Sequence, residues 1–207
     1  MKKITLIFFF LSTIFLCSCG NEEDSLPEFV LDQPDQLQSD EYEVYGKILE
    51  GFSQSQLIVR QQTSIYTPPK ESFELFFNLE NMSGMESTLY FNYVQENKAP
   101  YLLADKIEIS SKGTKLLSNK EYSHYFDRDN GHKSWELFQN KYPDSGAWFF
   151  YVNKIGFNED RTQALVGQES YWFMESSDGT TSNGGRLYYL EKINGEWVLI
   201  GSSFYQL

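Results

Sequence analysis

Two thiols, Cys17 and Cys19, and two imidazoles, His124 and His132, are the groups of this 207-residue chain whose chemistry depends most on spacing. The histidines lie eight apart with no glutamate or second histidine in zinc spacing, which predicts surface or turn positions for both and no metal centre. Asp127-Arg128-Asp129-Asn130-Gly131 has the outline of a calcium loop. Its glycine, however, is fifth rather than sixth, and Phe138 stands at the twelfth position where a bidentate glutamate belongs, so a polar turn is expected. Asp178-Gly179-Thr180 and Asn183-Gly184-Gly185 read as a polar loop between strands. No Gly-x-Ser-x-Gly elbow, phosphate loop or dinucleotide fingerprint occurs, and no cofactor is expected. Aspartates and glutamates are plentiful, so hydrolysis of a surface polysaccharide or peptidoglycan by paired carboxylates is the alternative activity, although no pair stands out.

Cys19 has the most informative surroundings. Lys2 and Lys3 precede an apolar run from Ile4 to Leu16, broken by Thr5, Ser12 and Thr13, and this is the shape of a signal peptide. The run is too short to span a bilayer core as a helix, which takes about 20 residues. Ser18 comes just before the cysteine and Leu16 three before it. This segment, residues 1–19, resembles the lipobox of bacterial lipoproteins, which implies cleavage before Cys19 and acylation of its thiol. An ordinary secretory peptide with a free Cys19 is the plainer reading. Several acyl chains would hold the protein stably on a membrane, its expected partner. With Cys17 removed and Cys19 acylated, disulfides, cysteine-bound zinc and a cysteine nucleophile are all excluded. Asn21-Glu22-Glu23-Asp24 resembles the surface-export signal of Bacteroidota lipoproteins, or simply solvates a linker. Gly20, where an aspartate is absent, implies outer-membrane sorting by the same resemblance.

The formal charge of the chain is −12. From Gly20 to Glu43 there are nine acidic residues (Glu22, Glu23, Asp24, Glu28, Asp32, Asp35, Asp40, Glu41, Glu43) and no Lys or Arg. Residues 19–39 therefore read as a lipid-bearing cysteine followed by a flexible acidic tether, with residues 1–18 as the signal peptide and 40–207 as a single globular domain. An acidic body excludes nucleic acid as a partner, since phosphates demand a basic face.

Within that domain, Asp40 and Glu43 have capping-box spacing, and Tyr42, Tyr45, Leu49 and Phe52 repeat at helical intervals, so a helix is expected over about 40–52. Gln56 to Arg60 reads as a buried strand. Helices are expected from Glu71 to about Met82, with Phe73, Phe76 and Phe77 on its apolar face, and from about Met85 to Asn97. Ile107-Glu108-Ile109 and Leu116-Leu117 suggest a hairpin, and His132 to Tyr142 a helix stopped by Pro143. Four strands follow, at about 147–154, 162–174, 186–193 and 196–205. Asn194-Gly195 predicts a type I′ turn, which sets Ile193 opposite Glu196, Leu190 opposite Leu199 and Tyr189 opposite Ile200. One face then gathers Leu187, Tyr189, Val198, Ile200 and Phe204, and the other Tyr188, Leu190, Trp197, Leu199 and Tyr205. Because both faces are apolar, helices should cover one side and a ligand, partner or loop the other. The expected fold is α+β: N-terminal helices and short strands packed on a C-terminal antiparallel sheet of about four strands, curled as in nuclear-transport-factor-like or cystatin-like cones.

Trp135-Glu136-Leu137-Phe138, Lys141-Tyr142-Pro143, Ile155-Gly156-Phe157-Asn158 and Asn194-Gly195-Glu196-Trp197, with the segments between them, resemble a pattern in uncharacterised secreted bacterial proteins. The resemblance covers about the last 75 residues and implies no activity. The aromatic content, 17% of the chain, exceeds what the core requires. Tyr171, Trp172 and Phe173 are accordingly candidate ligand-binding residues, with Trp172 facing one way and its neighbours the other; core filling is the competing reading. The expected protein is a cell-envelope lipoprotein without catalytic activity, whose domain binds a small molecule, glycan or protein.

Overall fold

The structure, a computed structural model, describes residues 27–79, 84–126, 133–173 and 181–205. The signal segment with Cys17 and Cys19, the Asp127–Gly131 motif, His132, the end of the second expected helix to Met82 and Asp178-Gly179-Thr180 lie outside those residues, as do the side chains of Phe76 and Phe77.

The chain runs α1 (Ser39–Leu49), β1 (Gln56–Arg60), α2 (Lys70–Leu79), α3 (Leu89–Glu96), β2 (Gly113–Leu117), α4 (Asn119–Phe126), α5 (Lys133–Lys141), a 3-10 turn at Pro143–Ser145, then β3 (Trp148–Val152), β4 (Gly156–Phe157), β5 (Gln163–Phe173), β6 (Thr181–Ile193) and β7 (Glu196–Tyr205). The fold is α+β. The sheet is larger than expected and mixed: seven strands, ordered β2-β1-β3-β5-β6-β7, with β4 also on β5. The three strands beyond the expected four are β1, β2 and β4; β1 pairs in parallel with both β3 and β2, and β2 forms the edge. The expected Ile107–Leu117 hairpin does not form. Ile109 makes a single bridge to Lys112, and Gly113–Leu117 instead lies alongside β1.

Helices cover both faces. On one, α1 buries Tyr45, Ile48 and Leu49 against Val59, Phe150, Val166 and Leu190. On the other there are two separate clusters: α3 sets Leu89 and Tyr93 on Leu165, Leu187 and Tyr189, while α4 and α5 set Tyr125, Trp135 and Phe138 on Ile58, Leu117 and Phe149. Gly156 allows the first of these, because a Cβ there would sit 2.3 Å from the Tyr93 backbone. The helix α4 was not foreseen. It begins where the Ser118 hydroxyl accepts the Glu121 N–H at 3.2 Å, which satisfies one of the free donors of its first turn.

The Asp40–Glu43 capping box is not made. The α1 N-cap is Gln38, with no side-chain cap bond; Asp40 instead accepts two bonds from the Arg161 guanidinium, at 2.9 and 2.7 Å. This fork holds the Asp40 carboxyl below its usual range, against the opposing effect of burial. The expected flexible tether also ends earlier than its composition suggests. Leu31 and Leu37 pack on the α1 core. Gln61, fully buried, takes the Asp32 N–H (2.8 Å) and donates to the Asp32 carbonyl (2.7 Å). Asp35 donates its N–H to the Leu102 carbonyl (2.9 Å) and accepts the Leu102 N–H on its carboxylate (2.8 Å), so apolar contacts and hydrogen bonds together dock an otherwise acidic segment.

At the last hairpin, Asn194 (φ 54°) and Gly195 (φ 89°) take the two positive φ angles expected of the turn. Ile193 pairs with Glu196 and Leu190 with Leu199, but Tyr189 pairs with Gly201 rather than Ile200. Ile200 is the extra residue of a β-bulge, and beyond it every side chain of β7 changes face. Phe204, opposite Arg186, therefore joins the Tyr188 face, and Tyr205 joins Leu187 and Tyr189.

Candidate functional site

The site begins with two adjacent rungs of the β3–β5 ladder. Trp148 pairs with Trp172, and Phe149 with Tyr171. Because successive side chains point to opposite faces, the pairs separate. Phe149 and Tyr171 stack at 5.2 Å and 3° under α4 and α5. Trp148 and Trp172 stack at 4.7 Å and 16° on the α1 face, where the sheet runs past the end of the helix at Leu49 and leaves a cleft of about 590 Å³. Phe52, Tyr188, Leu199 and Phe204 complete its apolar walls. Phe204 is 76% exposed, and only the bulge at Ile200 puts it there.

Polar groups also enter this apolar space, Gln168, Arg186 and Lys47 among them. Gln168, 1% exposed, receives a long bond from the Tyr188 hydroxyl at 3.4 Å on Oε1, while its Nε2 has no partner. A buried amide donor left unpaired costs about 1–3 kcal/mol, so Nε2 is poised for an acceptor. Arg186 lies with its guanidinium carbon 3.9 Å from the Phe204 ring centre. Lys47 is at the rim, bridged to Glu50 at 3.2 Å with both side chains well exposed. Burial raises the Tyr188 hydroxyl pKa, with Arg186 acting against it, so the hydroxyl stays protonated at neutral pH.

Of the three expected binding residues, Trp172 lines the cleft; Tyr171 and Phe173 belong to the opposite face, where Tyr171 donates to Glu169 (3.1 Å) and Phe173 lies 6.0 Å from Trp135. Asn183-Gly184-Gly185 is not a loop but the start of β6, and Gly184 forms part of the cleft wall. His124 sits on α4 against Phe29 at 5.2 Å. Sequence reasoning missed Trp148, Gln168 and Arg186. Strand alternation from Trp172 back to Gln168 was available as a signal; the pairing with Trp148 and Arg186 was not.

Glu50 is the carboxylate of this lining among the described residues. The buried acids lie elsewhere. Glu121 accepts the hydroxyls of Tyr125 (3.1 Å) and Tyr142 (2.6 Å). Glu169 takes the Ser64 and Tyr171 hydroxyls, and burial lifts its pKa. Glu41, also raised by burial, lines a separate polar hollow of about 450 Å³ with Lys154 and Arg161. Among the described residues no three His, Cys, Asp or Glu groups could hold a metal ion. The cleft can stack a flat or ring-shaped ligand, donate hydrogen bonds to it and offer it positive charge. Comparison with protein-family models, with curated proteins and with solved structures gives no match for this chain.

Proposed function

We propose that this is a glycan-binding domain without catalytic activity, held at the cell envelope by acyl chains on Cys19. One observation carries the reading: the stacked Trp148–Trp172 pair forms the wall of an open cleft that also holds the unpartnered Nε2 of Gln168. Aromatic faces supply large contact area to the C–H side of a sugar ring, and a few placed polar groups in a mostly apolar concavity fix its orientation. A nuclear-transport-factor-like or cystatin-like cone would hold a ligand in the same setting, on a sheet face backed by a helix; that analogy carries no activity. The lipobox at Leu16–Cys19, Gly20 and the acidic run after it support an outer-membrane, outward-facing location.

The test is titration of the intrinsic tryptophan fluorescence with a panel of neutral and charged oligosaccharides. Saturable change for at least one glycan, lost in Trp172→Ala, is expected; silence across the panel would remove the reading. Turnover of a bound oligosaccharide would replace it with the hydrolase alternative. For the anchor, Cys19→Ser should abolish incorporation of labelled fatty acid, and normal incorporation in that variant would exclude the lipid site.

A further inference from the structure

The groups of the cleft specify more than a sugar ring. Arg60 and Arg161 are each engaged by the protein itself: Arg60 donates to the Ser118 carbonyl at 3.2 Å and to Asn119 Oδ1 at 2.8 Å, and Arg161 grips Asp40. Arg186 faces no carboxylate within ion-pair distance among the described residues. In a chain with 29 acidic and 17 basic residues, an arginine held against an exposed Phe204 ring without an acid beside it has its charge to offer outward. Its side-chain partner within the cleft is the neutral Tyr188 hydroxyl, which takes part of the guanidinium's N–H capacity but none of its charge, and a guanidinium with five N–H donors keeps others for a carboxylate. Gln168 Nε2, buried and unpartnered, adds a donor to the same cleft. Donor, cation and aromatic wall together describe a ligand with a C–H ring face, oxygen acceptors and a carboxylate.

We propose that the cleft recognises an anionic glycan built from uronate residues, with the sugar ring on Trp148 and Trp172 and the carboxylate on Arg186. This rests on the glycan reading above and narrows it to a substrate class. A neutral glycan would leave the guanidinium facing water, and a carboxylate without a ring would leave the indoles uncovered.

The mature chain is titrated with an oligogalacturonate and with its methyl ester, which keeps the ring and the chain length but removes the charge. Saturable binding of the acid, with the ester at least about tenfold weaker, is expected; a tenfold difference is the scale of one charge-assisted pair. Arg186→Gln should bring the two affinities together, and Trp172→Ala should weaken both. Equal binding of acid and ester by the intact protein overturns the uronate assignment while the glycan reading stands, and so does an Arg186→Gln variant that keeps the preference. If neither oligomer nor any neutral glycan binds, both readings fall together. Should Arg186→Gln not fold, as judged by its thermal transition, the comparison of acid with ester on the unaltered protein decides alone.

Discussion

The two rungs Trp148/Trp172 and Phe149/Tyr171 share strands, register and aromatic chemistry, yet one is packed and the other open. Under α4 and α5 the second rung is enclosed by Trp135 and Phe138, with Trp135 stacked on Phe149 at 5.7 Å. On the opposite face α1 stops at Leu49, and the first rung looks onto a cleft. Aromatic excess alone therefore does not mark the open cleft; the length of one helix does. What separates a core from a site here is the missing cover, because an aromatic pair with nothing above it has surface left to bury.

The widest gap between the rungs should appear in stability. Phe149→Ala removes a ring that is 2% exposed and leaves a cavity in a packed cluster, so a loss of about 3–5 kcal/mol is expected in urea unfolding. Trp172→Ala, acting on a half-buried indole beside open space, should cost roughly 1–2 kcal/mol, since little cavity is created. If the tryptophan proves as costly as the phenylalanine, the cleft is filled in solution and the contrast is broken.

Between those values lies the docked segment, which tests whether the closed part of the α1 face relies on residues before the helix. Gln61→Ala removes the fork that holds Asp32 and also the Gln61 bond to the Leu103 carbonyl at 3.1 Å. Buried partners left unpaired should cost about 2–3 kcal/mol. Protease sensitivity between Phe29 and Leu37 should rise with it. A chain that begins at Asp40 and retains full stability would show instead that the segment merely rests on the surface.

This segment illustrates how far the sequence could be read. Composition sees acids and prolines over residues 20–38 and assigns them all to a leash; that Leu31 and Leu37 find apolar partners is long-range information. The final hairpin was legible because Asn194-Gly195 specifies its turn locally. The bulge at Ile200 was not, and it moved Phe204 into the cleft wall. Strand β1 was visible as an apolar run, whereas its parallel neighbours β2 and β3 were fixed by crossovers through α2, α3 and the later helices, which leave no local mark. Trp172 was picked out for its aromatic neighbours; Arg186 and Gln168 became candidates only when burial and missing partners could be seen.

The pH dependence sharpens the contrast from the other direction, because Glu169 lies on the packed face. Burial raises its folded pKa above the ordinary 4.5, outweighing the hydroxyl bonds from Ser64 and Tyr171 that act the other way. In the interval between the unfolded and folded pKa values the native state holds more proton than the unfolded chain, so this group makes stability fall as pH rises through it. Above that interval the penalty is complete, about 1.4 kcal/mol for each unit of displacement. Glu169→Gln keeps one acceptor oxygen and turns the other into an NH2 donor, to which a hydroxyl partner can accept in its turn, and should raise stability at pH 7 while leaving it unchanged at pH 4. A variant that is weaker at pH 7 would mean that the carboxylate gains more from its hydroxyl partners than burial costs it.

The smallest change in stability should come from filling the cleft. An ideal Cβ at Gly184 would meet a single neighbour within 4 Å, the Trp172 ring edge at 4.0 Å, which is ordinary contact, and the backbone there is not in the left-handed region. A leucine at this position can therefore occupy cleft space without displacing the sheet. Replacing glycine also narrows the unfolded ensemble, so Gly184→Leu should leave stability unchanged or raise it by about 0.5 kcal/mol. The side chain would lie beside Trp172 where a sugar ring is proposed to stack, and affinity for any glycan that binds should fall at least about tenfold. Melting and binding measured on one preparation separate the two effects. Unaltered affinity in a fully folded Gly184→Leu protein would place the ligand away from the tryptophan pair, and the open rung would then be no more functional than the closed one.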